Sequence, residues 1–199
     1  SRGAGYARYR QDGSLIDTLW VPLRERDEKS WVFLSKGKDG TRRGMMSTNV
    51  PFTPSMVWTI NPAGGFVEGW NGEYRLVRSP TGEDTVSVFG RHWTPDPIPD
   101  AMRRAPVDRL VRNATNMVGE AVARSVARLE EVPTTAPAFV TIRVDLDGNT
   151  WARRLIGSDS TRTTYDVFDP DGAWLGAVVS PVAVPEWGGQ FFGRGLIYT

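Results

Sequence analysis

The chain has 199 residues, of which 40% are hydrophobic and 11% aromatic, with 8 Trp, enough apolar surface for one sizeable core. Its 24 Lys and Arg against 23 Asp and Glu give a net charge of +1, which argues against a polyanionic partner such as nucleic acid. Zero Cys excludes disulfides, thiolate metal sites and Cys nucleophiles, and no apolar run reaches the ~18 residues of a membrane-spanning helix.

In chain order, Tyr6 to Arg10 and Leu15 to Val21 read as two strands around the Asp12-Gly13 turn. The first residue is Ser, and the text opens in mid-strand, so we expect a processed or truncated piece of a longer chain. A complete unit follows over residues 52–96. Met56 to Ile60 is a strand, and Asn61-Pro62-Ala63-Gly64-Gly65 is a turn. Phe66 to Trp70 returns, Asn71-Gly72 is a strong hairpin signal, and Glu73 to Val77 and Thr85 to Phe89 complete four strands.

The stretch from Asp100 to Leu129 differs in character. Apolar side chains at Val107, Leu110, Val111, Ala114, Met117, Val118, Ala121, Val122 and Leu129 fall at helical spacing. Pro106 suits a first helical turn. We expect an inserted helix over 99–131 that covers a sheet edge or an opening between sheets. Arg103, Arg104, Arg109 and Arg112 make it basic, but Asp100, Asp108 and Glu120 interleave, as on a solvated face. Asn113-Ala114-Thr115 spells a glycosylation sequon inside that helix, where we expect it to be unused.

Residues 137–180 repeat the four-strand pattern. Phe139 to Val144 alternates, Asp147-Gly148 turns, and Trp151 to Ile156 returns. Tyr165 to Phe168 is the third strand, Asp169-Pro170-Asp171-Gly172 turns again, and Trp174 to Val179 is the fourth. Because Trp174, Gly176 and Val178 on one side and Leu175, Ala177 and Val179 on the other are all apolar or small, we expect this fourth strand to be covered on both faces. The end of the chain, "FFGRGLIYT", reads as the first strand of another unit, the start of the next blade over 190–199. Two hairpins in a unit of about fifty residues fit the blade of a β-propeller.

The runs "WTINPAGGFVEGWNGEYRLVR", "VPTTAPAFVTIRVDLDGNTWARRL" and "YDVFDPDGAWLGAV" resemble bacterial six-bladed β-propeller proteins related to the NHL-repeat group. The resemblance covers the chain from about Tyr6 to Ile197. It implies an all-β fold of four-stranded antiparallel blades, an export signal, and a periplasmic or extracellular location. Six blades of about 45 residues need roughly 270, so we expect an incomplete ring whose open edges allow self-association.

Asp145-Leu146-Asp147-Gly148-Asn149 places oxygen ligands at alternate positions, like half of a calcium loop. A hairpin turn explains the same residues, and we expect the turn, with Asp145, Asp147 and Asn149 as the candidate metal ligands. His92 is the only histidine, and no G-x-S-x-G elbow accompanies it, so we expect no Ser-His-Asp relay and name no catalytic or cofactor-binding residue. The resemblance also suggests Glu73, Asp145 and Asp166 as carboxylates that converge on a propeller axis, as in metal-dependent propeller lactonases. Trp20, Trp58, Trp70, Trp151 and Trp174 can line a binding face or fill space between sheets, and we expect the latter. The expected function is a non-enzymatic binding or scaffold module for a protein, peptide or glycan. The alternative is a metal-dependent hydrolase or lyase.

Overall fold

A computed structural model describes residues 5–20, 28–37, 39–80, 84–158, 161–184, 191–193 and 196–198. The elements run in the order β1 (Gly5–Tyr9), β2 (Leu15–Trp20), β3 (Ser30–Lys36), β4 (Arg42–Asn49), β5 (Met56–Ile60), β6 (Phe66–Trp70), β7 (Arg75–Ser79) and β8 (Ser87–Gly90). Helices α1 (Asp100–Val118) and α2 (Glu120–Val126) and a 3-10 turn at Leu129–Glu131 come next. Strands β9 (Thr141–Val144), β10 (Thr150–Arg153), β11 (Thr163–Phe168), β12 (Trp174–Ser180), β13 (Phe191–Gly193) and β14 (Leu196–Tyr198) complete the chain. The fold is mostly β, and every strand pairing is antiparallel.

The chain divides into two compact units, one of Ser1–Arg26, Ser55–Thr94 and Ala138–Thr199, the other of Asp27–Pro54 and Pro95–Pro137. In the first unit, β5-β6-β7-β8 and β9-β10-β11-β12 are two meanders, each with neighbouring strands joined in chain order. Both were expected, the first from its Gly64-Gly65 and Asn71-Gly72 turns and the second from alternation and its two Asp-Gly turns. They pack against each other: Val67, Leu76 and Phe89 of one meet Ile142, Ala152 and Phe168 of the other, with Tyr74 and Phe139 filling between. At roughly 1.5–3 kcal/mol for each large apolar side chain, this layer is the main stabilising contact of the unit. On the far face of the second meander, Trp151, Tyr165 and Val167 pack with Val184. On the far face of the first, Tyr6 of β1 meets Trp58 edge-on at 5.5 Å, and Trp58 meets Phe66 at 5.8 Å.

Burial on both faces therefore belongs to the middle strands, and β11 is buried at every position. The fourth strand corrects the expectation: β12 is the edge of its sheet, with Trp174 48% and Leu175 61% exposed and Val178 and Val179 exposed as well. Apolar residues on both faces of a strand signal burial only when the strand has neighbours on both sides. At the end of the chain, where the first strand of another unit was expected, two short strands, β13 and β14, pair antiparallel.

Gly172 shows why the Asp-Pro-Asp-Gly turn needs its last residue. Its φ is +92°, and a Cβ there would come within 2.6 Å of Phe89 Cβ on the neighbouring meander. The turn is thus a contact point between the sheets as well as a reversal. Arg78 adds to it, donating to the Pro170 carbonyl while its guanidinium lies 5.2 Å from the Phe89 ring centre.

In the second unit, the β3–β4 hairpin lays Trp31 and Phe33 against Val107, Val111 and Ala114 of α1, Ala123 of α2, and Val132. This hairpin has no counterpart among the expectations. Trp31 Nε1 donates to Glu131 Oε2 at 2.6 Å, and Arg103 donates to the Leu129, Val132 and Pro133 carbonyls, tying down the end of the helical segment. The single expected helix is broken at Gly119 (φ +82°), which starts α2 afresh. The break shifts the buried stripe: Ala123 and Ala127 face inward, while Ala121 and Val122 are exposed. Pro106 lies inside α1, past its first turn, where it removes one backbone donor. Thr115 Oγ1 donates to the Val111 carbonyl, so the sequon sits within α1.

Candidate functional site

The first strands of the two meanders, β5 and β9, are both edge strands. They border one cleft of about 630 Å³, which Tyr6, Ser55, the five residues of β5, and Val140 to Arg143 line. That volume is in the range of ligand pockets, ~300–1,000 Å³. The aromatic pair Tyr6 and Trp58 forms one wall, Thr59 and Thr141 supply hydroxyls, and Arg143 is the one charged side chain among the lining residues. Sequence alternation places Thr141 and Arg143 on one face of β9, opposite the buried Ile142, so the strand carries core and cleft residues together.

The loop at 145–149 closes on itself. Asp145 is 1% exposed, and its Oδ1 accepts the Asp147 and Asn149 backbone amides at 3.0 and 2.7 Å. Its Oδ2 accepts Asn149 Nδ2 and Trp151 Nε1, each at 2.9 Å. Four N–H donors converge on that carboxylate, which is the arrangement of an Asx-stabilised hairpin turn. Asp147 is exposed at its tip. Among the described residues, no three or more His, Cys, Asp or Glu side chains are grouped as metal ligands would be.

Asp166 is fully buried, at 0% exposure. Oδ1 accepts Arg154 Nη2 at 2.6 Å and Trp174 Nε1 at 3.1 Å. Oδ2 accepts Arg154 Nε at 2.8 Å, the Tyr74 hydroxyl at 2.8 Å and Arg91 Nη2 at 3.1 Å. Tyr74 and Arg91 come from the first meander, and Asp166, Arg154 and Trp174 from the second, so the cluster ties one sheet to the other. Arg91 also stacks over the Tyr74 and Trp174 rings, at 4.7 and 5.6 Å. Burial pulls the Asp166 carboxyl upward, but the hydrogen bonds from Arg154 and Tyr74 and the two guanidinium charges outweigh it, leaving the group below its ordinary value. Burial, with the Asp166 charge beside it, pushes the Tyr74 hydroxyl well above its ordinary value. Five donors converge on this carboxylate and favour its anionic form.

Asp166 was one of three carboxylates that the resemblance offered as candidates for a propeller axis. Glu73 is exposed in the β6–β7 turn, Asp145 closes its own hairpin, and Asp166 binds the sheets together. His92 is exposed, and its carbonyl accepts Arg91 Nη1 at 2.9 Å. Of the five tryptophans, Trp151 is buried, Trp58 and Trp70 are half-buried, and Trp20 and Trp174 are exposed. The sequence reading missed Arg91 and Arg154. The available signal was Asp166 itself, a lone carboxylate inside the strand "TTYDVF", which demands a partner once that strand is buried.

No protein-family model matches this chain, and no curated protein matches it significantly.

Proposed function

We propose that the chain is a non-enzymatic binding module whose two packed meanders are blades of a six-bladed β-propeller type, and whose ligand occupies the cleft along β5 and β9. The cleft carries this reading: it is large, open, lined by aromatic and hydroxyl side chains, and built on the first strands of two successive four-stranded sheets. Face-to-face packing of successive meanders supports the blade reading, and the enclosure of Asp145 and Asp166 supports a structural use of those carboxylates over a catalytic one. The protein works at the cell envelope or outside it, as the resemblance implies.

The test is amide NMR on the full chain with separate panels of linear peptides, oligosaccharides and small metabolites. At least one panel should shift the resonances of Trp58, Thr59, Thr141 and Arg143 while leaving β7 and β11 unmoved. Silence at those four residues across all panels would reject the cleft as a binding site. Thermal melts with calcium, magnesium and zinc address the hydrolase alternative, because a saturable rise in Tm with one ion would favour it.

A further inference from the structure

We infer that the outer face of the β3–β4 hairpin docks on an anionic lipid bilayer, setting a small apolar patch into the headgroup boundary with basic side chains beside it. The hairpin belongs to the second unit and shares no residue with the cleft.

Strand alternation gives the hairpin two unlike faces. Trp31 and Phe33 point inward to the helices, at 3% and 0% exposure, so Val32 and Leu34 point away from them. Leu34 stands opposite Met45 across the pair. Val32, Leu34 and Met45 are 41%, 42% and 58% exposed, three apolar side chains gathered on one face. Lys36 follows Leu34 by two residues and Arg43 precedes Met45 by two, so both continue that face, and both are exposed. Neither forms an ion pair among the described residues. Asp39 in the turn is engaged locally, its Oδ1 accepting the Thr41 amide at 3.1 Å and the Thr41 hydroxyl at 2.7 Å. Residues 36–43 hold four basic residues and one acidic one, whereas the whole chain is only +1. Positive charge is thus concentrated at this turn, and the rest of the chain carries a slight negative excess.

Such a face asks for hydrocarbon and anions at adjacent depths, which is what an anionic bilayer presents. Long Lys and Arg stems keep their charged heads among the phosphates while neighbouring apolar groups enter the acyl boundary. Other classes of partner fit less well. Protein interfaces favour aromatic anchors and are depleted in Lys, and this face has Lys36 and no aromatic side chain. Single-stranded nucleic acid stacks on aromatic rings, which this face lacks as well.

The experiment co-sediments the full chain with vesicles of phosphatidylcholine alone, or with about a third phosphatidylglycerol as the anionic lipid. Binding should appear only with the anionic vesicles and fall about tenfold or more from low to high salt. Each Lys or Arg near such a surface is worth about fivefold in partitioning, so Lys36→Gln with Arg43→Gln should weaken binding about 25-fold. Leu34→Ser with Met45→Ser should weaken it about tenfold. Because the chain has no Cys, Met45→Cys takes a single polarity-sensitive fluorophore in an otherwise unaltered protein. Its emission should shift to the blue on anionic vesicles. No binding to those vesicles, equal binding to neutral ones, or binding with the label unshifted would overturn the inference. So would equally tight binding to soluble polyglutamate, unaffected by the serine pair, which would mark an acidic macromolecule as the partner.

Discussion

Asp166 shows how one side chain can serve two sheets. Its carboxylate, beneath the surface of β11, receives donors from both meanders, and the pair of arginines leaves a local excess of positive charge. Removing the negative member of such a cluster leaves two guanidiniums facing each other with no counter-charge. Asp166→Asn should therefore destabilise the first unit by about 3 kcal/mol in urea unfolding. The pH dependence has a definite sign. A carboxyl held below its ordinary value of ~3.9 contributes stability that is complete above that value and lost as pH falls through the folded value. Tyr74 works at the other end, since a hydroxyl raised above ~10 contributes stability that fades as pH rises beyond it. Acid titration of wild type and Asp166→Asn should show a flatter low-pH limb in the variant. Equal slopes would remove Asp166 from the account.

At the level of elements, turns position the sheets as much as strands do. The 169–172 turn was legible as a reversal because Asp-Pro-Asp-Gly leaves few other conformations. That its glycine lies against Phe89 was not legible, because Phe89 is far away in sequence. Gly172→Ala should destabilise by about 2 kcal/mol or more, combining a strained φ with a clash. Gly13→Ala, at φ +84° in open space, should cost about 1 kcal/mol by strain alone. Similar effects at both sites in thermal melts would show that the Phe89 contact yields without penalty. The helical segment repeats the lesson. Its apolar spacing correctly marked Val107, Val111 and Ala114, yet beyond Gly119 the stripe restarted in a new phase, and Val122 went outward while Ala123 went in.

For the whole molecule, the buried clusters divide as the units do. Trp31, Phe33 and their neighbours share no member with the layer around Phe139 and Phe168. Phe33→Ala and Phe139→Ala should each cost about 3–5 kcal/mol, because both remove a fully buried ring. Amide exchange should quicken mainly in α1 and α2 for the first variant and mainly in β6, β7 and β10 for the second. Uniform quickening across both sets would mean that the units unfold as one.

Local chemistry sufficed for what depends on neighbours in sequence. Alternating apolar residues and Asp-Gly or Asn-Gly turns defined two four-stranded meanders, and the Asp145 loop declared itself a turn, since each of these is set by contacts a few residues long. Tertiary structure alone decided which strand becomes an edge, which carboxylate meets two arginines, and where two edges border a cleft. Those outcomes depend on burial and on partners dozens of residues away. The apolar strand β12 stays exposed and the more polar β11 is buried, because only the second has neighbours on both sides.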